Sequence, residues 1–183
     1  MTATAVPRDG AVRAVLDHAA PHGGRGVLLL DGGSGAGKSV LADDISAAWA
    51  EARGEALQVV RLDDVYPGWF GLAAASAAVN GTILRAADPG YRRWDWELQR
   101  PGRWVSIDPG RSILVEGCGS LTVASAPLAH VRIWLNLAEP VRKVRALARD
   151  VGYEPWWDTW AVQERRHWAE NRPWELADLT VTP

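Results

Sequence analysis

Along this chain the hydrophobic positions switch repeatedly between unbroken runs and helical spacing. Residues 26–31 (GVLLLD) form a continuous apolar run closed by an acid, the pattern of a central strand buried on both faces. Residues 57–62 (LQVVRL), 112–116 (SILVE) and 131–137 (VRIWLNL) read as further strands, and 179–182 as a short last one. Between them lie helical segments. Residues 9–20 put Val12, Val15, Leu16 and Ala19 on one face, and Pro21, Gly23 and Gly24 then end the helix. Helices are also predicted over about 38–52, closed by Gly54, and over 71–79, 139–150 and 155–172. The stretch from Gly81 to Gly110 shows no period and is predicted to be irregular. Strands alternating with helices predict an α/β fold, with a mostly parallel five-stranded sheet covered on both faces.

Composition narrows the class. With 183 residues, 48% of them hydrophobic and 23% charged, the chain can bury a core without staples, which excludes disordered, collagen-like and disulfide-rich classes. It is expected to be one domain over 1–183. A net charge of −2 gives no general attraction to nucleic acid or to an anionic membrane. The N-terminal residues lack the basic start and apolar run of a signal peptide, and Cys118, the single cysteine, suits a reducing compartment, so a cytoplasmic protein is expected. A homo-oligomer is left open. Among 20 basic residues only Lys38 and Lys143 are lysines, so each lysine needs its own explanation.

Residues 32–39 read GGSGAGKS and match G-x-x-x-x-G-K-[ST] through Gly32, Gly37, Lys38 and Ser39. In such a loop, glycines let successive backbone N–H groups turn around an anion, and the helix that follows adds its positive end. The expected phosphate contacts are Gly32, Gly33, Ser34, Gly35, Ala36, Gly37, Lys38, Ser39 and Val40. Lys38 would reach the β- and γ-phosphates of ATP, and Ser39 would ligate Mg²⁺. A strand before the motif and a helix after it supply the context it requires, so the fold expected is the three-layer α/β/α sandwich of P-loop NTPases with a small lid. A guanine-reading N/T-K-x-D motif is absent, because Lys143 follows Arg142, and there is no LSGGQ-like segment. Small-molecule and nucleotide kinases remain.

Acids at strand ends are the next candidates, since strand ends at the carboxyl edge face the ligand crevice. The second strand ends in Leu62-Asp63-Asp64-Val65-Tyr66, where either carboxylate could take a hydroxyl proton, sit near Mg²⁺, or simply start a turn. Glu116 ends an apolar strand at a position resembling Walker B, where a carboxylate orients Mg²⁺. Asp95, within RRWDW, could bind substrate hydroxyls or be a solvated loop acid. Arg142, Arg145 and Arg149 share one face of the helix at 139–150 and could contact phosphates or form a solvated basic face. Of 11 tryptophans, Trp69 and Trp94 are taken as substrate-stacking candidates against a background of core packing. Glu164 and His167 read as a surface pair, and Cys118 as a small buried residue.

Taken together, GGSGAGKS, LDDVY, ILVEG and VRKVRALARD resemble the uridine kinase and phosphoribulokinase branch of the P-loop kinases, over about residues 25–182. That resemblance implies Asp63 as catalytic base and metal neighbour, Ser39 and Glu116 as Mg²⁺ partners, and Arg145 and Arg149 as lid arginines beside Lys38. It implies an acceptor-binding region at about 66–110, with Asp63, Tyr66, Trp69, Trp94 and Asp95 contacting substrate, and a lid at about 145–160. The activity implied is transfer of the γ-phosphoryl group of ATP to a hydroxyl of a nucleoside- or sugar-like acceptor. Two alternatives remain at this stage. One is a nucleoside monophosphate kinase using Arg85, Arg92, Arg93, Arg100 and Arg103. The other is a nucleotide-binding regulatory protein with little transfer activity.

Overall fold

Six parallel strands make the central sheet, in the order β1-β8-β7-β2-β6-β3. They are β1 (Thr4–Pro7), β2 (Val27–Gly32), β3 (Gln58–Arg61), β6 (Ile113–Glu116), β7 (Val131–Leu135) and β8 (Leu179–Thr182). The computed structural model describes residues 3–182, so Met1, Thr2 and Pro183, the ends of the expected domain, lie outside the described residues. Every residue of β2 is buried, as its unbroken apolar run requires. Its side chains alternate between two cores. Leu28 and Leu30 pack with Ile133, Ile45 and Trp49 on one face. Val27 and Leu29 pack with Val60, Val115, Trp134 and Trp157 on the other.

The helices are α1 (Ala11–Ala19), α2 (Lys38–Arg53), α3 (Leu72–Ala78), α4 (Glu139–Arg149), α5 (Trp157–Asn171) and the short α6 (Pro173–Leu176). Helix α2 starts and stops on glycines in the left-handed region, Gly37 at φ 101° and Gly54 at φ 68°. It buries Leu41, Ala42, Ile45 and Trp49 at helical spacing.

Two expectations need correction. The sheet has six strands rather than five, because β1 joins as an edge strand, with Val6 opposite Val181. Its TAVP sequence is too short and polar to read as a strand by itself, and Pro7 is tolerated only because it lies at the end of an edge strand. Residues 81–110 are not irregular throughout: β4 (Gly90–Asp95) and β5 (Arg100–Ser106) pair as an antiparallel hairpin beside the main sheet. A register shift between Arg92 and Trp94 breaks the alternation that would have revealed it.

Sheet register assembles the site. Glu116, the last residue of β6, stands opposite Leu30 of β2 and Arg61 of β3. The glycine loop after β2, the acid ending β6 and the Asp63-Asp64 turn after β3 therefore meet at one carboxyl edge.

Candidate active site

A cavity of about 510 Å³ opens at that edge. Its floor is the glycine loop. Gly35 and Gly37 take φ angles of 79° and 101°, which side-chain-bearing residues rarely adopt, and a Cβ on Gly35 would run into the Arg142 carbonyl. The loop delivers the chain into α2 so that the amides of Lys38, Ser39 and Val40 precede the first bond of the helix, which Leu41 N–H makes to the Gly37 carbonyl. Helix start and loop thus present N–H groups and a positive dipole end to one space.

Lys38 is buried, and its Nζ donates to the carbonyls of Gly32 (2.8 Å) and Gly33 (3.1 Å), with the Cys118 sulfur at 3.4 Å. Burial opposes its charge, but Cys118 and the carboxylates of Glu116, Glu164 and Asp31 outweigh that and hold the ammonium well above the ordinary lysine value. A permanent positive charge is thereby fixed at the cavity floor. Ala36 is packed into the α2-side core, and Val40, largely exposed, stands at the cavity mouth.

The Ser39 hydroxyl donates to Glu116 Oε1 at 2.9 Å, and Arg61 reaches the same oxygen at 3.2 Å. Burial pushes the Glu116 carboxyl up, as does the nearby Asp63 charge, while Lys38, Ser39 and Arg61 pull the other way. A hydroxyl and a carboxylate oxygen side by side are the donor set a hard cation prefers. No cluster of three or more His, Cys, Asp or Glu side chains able to hold a metal exists among the described residues. A Mg²⁺ ion would therefore take only these few protein oxygens, with phosphate and water completing its shell, which matches its usual habit.

The structure separates the two aspartates. Asp64 pairs with Arg93 at 3.0 Å and faces a second, smaller cavity beside the hairpin. Asp63 is exposed and lines the main cavity. Tyr66 also lines it, but its buried hydroxyl is committed to the Cys118 carbonyl at 2.8 Å. Trp69 forms part of an aromatic wall, stacked with Tyr153 (ring planes 15° apart) and Trp156 (7°) and tilted against Trp96.

Trp94 and Asp95 do not join this group. Both line the second cavity, and Asp95 spends one carboxylate oxygen on the Glu97 and Leu98 amides of the hairpin turn. Trp96, whose indole N–H donates to the Asp63 carbonyl, and Gln99 reach the main cavity from the hairpin turn instead, and Trp96 borders both cavities. The three arginines of α4 also part company. Arg149 lines the cavity, Arg145 is exposed and lies away from it, and Arg142 is buried against the glycine loop.

Glu164 and His167 are not on the surface, as the sequence suggested. Both are buried, Glu164 against the loop and His167 against Asp31 at 3.2 Å. Asp31 belongs to no motif in the sequence. Fully buried at the end of β2, it accepts from the amides of Gly32, Gly119 and Leu121 and so ties the loop after β6 to the start of the glycine loop. Its position next to GGSGAGKS was the only available signal. Cys118 is buried as expected, and burial pushes its thiol far up, away from nucleophilic use.

No protein-family model matches the sequence, and a comparison with curated proteins gives no match either. Solved structures do match. A protein of Bacillus stearothermophilus described as a possible uridine kinase superposes with a TM-score of 0.65 at 19% identity, over 94% of this chain and 96% of its own. A protein of Silicibacter sp. TM1040 described as a candidate fructose transport system kinase gives 0.58 at 20% identity, over 95% and 98%. In fold, then, this chain is an α/β protein with a parallel central sheet, similar along nearly its whole length to two solved structures described as a possible uridine kinase and a candidate fructose transport system kinase.

Proposed function

We propose that this protein is an ATP-dependent kinase that transfers the γ-phosphoryl group to a hydroxyl of a nucleoside- or sugar-like acceptor. One observation carries the reading: three strand ends bring a phosphate loop, a Ser39–Glu116 oxygen pair and the Asp63 carboxylate to one cavity with an aromatic wall. The loop amides and Lys38 would hold the triphosphate. Mg²⁺, held by Ser39 and Glu116, would neutralise charge on the β- and γ-oxygens. Asp63 would accept the proton of the acceptor hydroxyl, and Arg149 would stand at the mouth to spread the charge of the transferring group. Catalysis of this kind is mostly positioning and electrostatics.

The character of the walls favours an uncharged acceptor over a nucleoside monophosphate. The arginines that a second phosphate would need are engaged elsewhere: Arg85 with the Asp88 carbonyl, Arg92 with the Gly102 carbonyl and Arg93 with Asp64. None of Arg85, Arg92, Arg93, Arg100 or Arg103 lines the main cavity. The aromatic wall suits the face of a base or sugar.

The test pairs an acceptor screen scored by ADP release with the Asp63→Asn variant. Nucleosides and sugars should release ADP in preference to nucleotides. Asp63→Asn should lower turnover by about 10²–10⁴-fold, the usual share of a general base, with ATP affinity unchanged. ATP binding with no acceptor-dependent ADP release would favour a regulatory protein instead. Unchanged turnover in the variant would remove Asp63 from the chemistry.

A further inference from the structure

Helix α5 runs from the aromatic wall to the back of the phosphate loop, and one face of it does both jobs. Trp160 lines the cavity. Gln163 donates to the Trp69 carbonyl at 2.8 Å and accepts from the Leu72 amide. Glu164 Oε1 accepts from the Ser34 amide at 2.5 Å and from the Cys118 thiol. Its Oε2 accepts from Arg142 at 3.1 Å. Arg142 in turn donates to the Ser34 carbonyl at 2.9 Å and to the Leu137 carbonyl at 3.0 Å.

This arrangement is expensive for a structural filler. Glu164 and Arg142 are about 1% and 3% exposed, and an apolar pair of similar volume would fill the space with no charges to desolvate. What the ion pair adds is geometry. It grips two successive peptide groups, the Gly33–Ser34 peptide by its N–H and the Ser34–Gly35 peptide by its C=O. Ser34 stands between Gly33 and Gly35, two residues without side chains to hold themselves, and the loop packs so closely on Arg142 that a Cβ on either glycine would collide with it.

We propose that Glu164, acting with Arg142, is a positioning residue for the phosphate loop. The pair fixes the peptides on either side of Ser34, so that the amides of Gly35 and of the helix start are already convergent when a phosphate arrives. By taking the Ser34 N–H for itself, the carboxylate also withdraws that amide from the set that meets the anion. A loop ordered in advance does not lose that freedom on binding, so the benefit belongs to nucleotide affinity. The consequence for catalysis rests on the kinase reading, whereas the ordering of the loop does not.

Two measurements test it. Hydrogen exchange on the ligand-free wild-type protein should show the Ser34 amide exchanging at least about tenfold more slowly than that of Gly35, because a buried carboxylate holds it. In the volume-matched double variant Arg142→Met/Glu164→Leu the same amide should exchange at least about tenfold faster than in wild type, and Mg·ATP should bind about tenfold more weakly by calorimetry. In turnover, the KM for ATP should rise with the acceptor KM and kcat little changed, a split that general loss of packing would not give. Glu164→Gln, which keeps an acceptor for the Ser34 N–H, should recover ATP affinity to within about threefold of wild type. A folded double variant with wild-type exchange and ATP affinity would overturn the proposal, and so would a Ser34 amide exchanging as fast as Gly35 in wild type. If wild type bound no ATP, the kinase reading would fall, while the exchange data would still decide the loop clamp.

Discussion

Lys38 keeps its charge where burial opposes it, and that tension makes it the residue whose loss is easiest to read. Its Nζ donates to the Gly32 and Gly33 carbonyls, with the Cys118 sulfur as a third neighbour, and the side chain lines the cavity. Lys38→Ala should weaken Mg·ATP binding by about 3 kcal/mol, or roughly 100-fold, measured by calorimetry. Lys38→Arg should not restore it, because a planar guanidinium cannot replace a compact ammonium in this pocket. Glu116 gives a pH test. Its folded carboxyl binds a proton more tightly than the ordinary one, so its share of fold stability is largest in acid and declines as pH rises through its folded value. Metal binding runs the other way, since the ion needs the carboxylate. Mg²⁺-dependent ATP affinity should therefore fall on acidification at a higher pH than an ordinary glutamate would give, and Glu116→Gln should abolish that acid limb in a calorimetric pH series. At this scale the loop residues and the strand-end acids were legible, because their chemistry is tied to local spacing. The choice between Asp63 and Asp64 was not, because it depends on Arg93, which lies 29 residues beyond Asp64 and reaches it only through the hairpin.

Elements were easier to find than to orient. The Trp-rich segment reads as a helix, and α5 is one. Its inward face, however, carries Gln163, Glu164, His167 and Asn171, which a hydrophobicity rule turns outward. They point inward because each finds a partner on the glycine loop, β2, or the loops after β3 and β6. The lead-in to β8 shows the same dependence on partners. Asp178 accepts from the Arg132 amide and from Arg132 Nε, both at 2.9 Å, and a further guanidinium contact completes the pair. Burial pushes the Asp178 carboxyl up, but these bonds and charges win and hold it below the usual aspartate range. Its contribution is therefore present above the ordinary aspartate value and lost as pH falls through the folded value. Asp178→Asn should cost about 1 kcal/mol at neutral pH in urea unfolding, with the difference from wild type closing in acid.

For the molecule as a whole, stability and site chemistry occupy different parts of the sheet. β1 lies at one edge, with β8 and β7 between it and β2, whose C-terminal end carries the glycine loop. Removing residues 1–7 should cost about 2–3 kcal/mol of folding free energy, chiefly from the lost burial of Val6 and of the surfaces it covers, and lower the urea midpoint. ATP affinity should stay within about twofold of wild type, since no phosphate contact would be lost. Loss of ATP binding in a folded truncation would contradict this separation. The α/β alternation, the buried central strand and the glycine loop follow from the order of residues alone, because each depends on neighbours a few positions away. The sixth strand, the inward face of α5, the exchange of Trp94 for Trp96 at the cavity and the burial of Glu164 with Arg142 were decided by tertiary structure. Each of these is settled by a partner far along the chain, and a charge or a ring takes its place only once that partner has arrived.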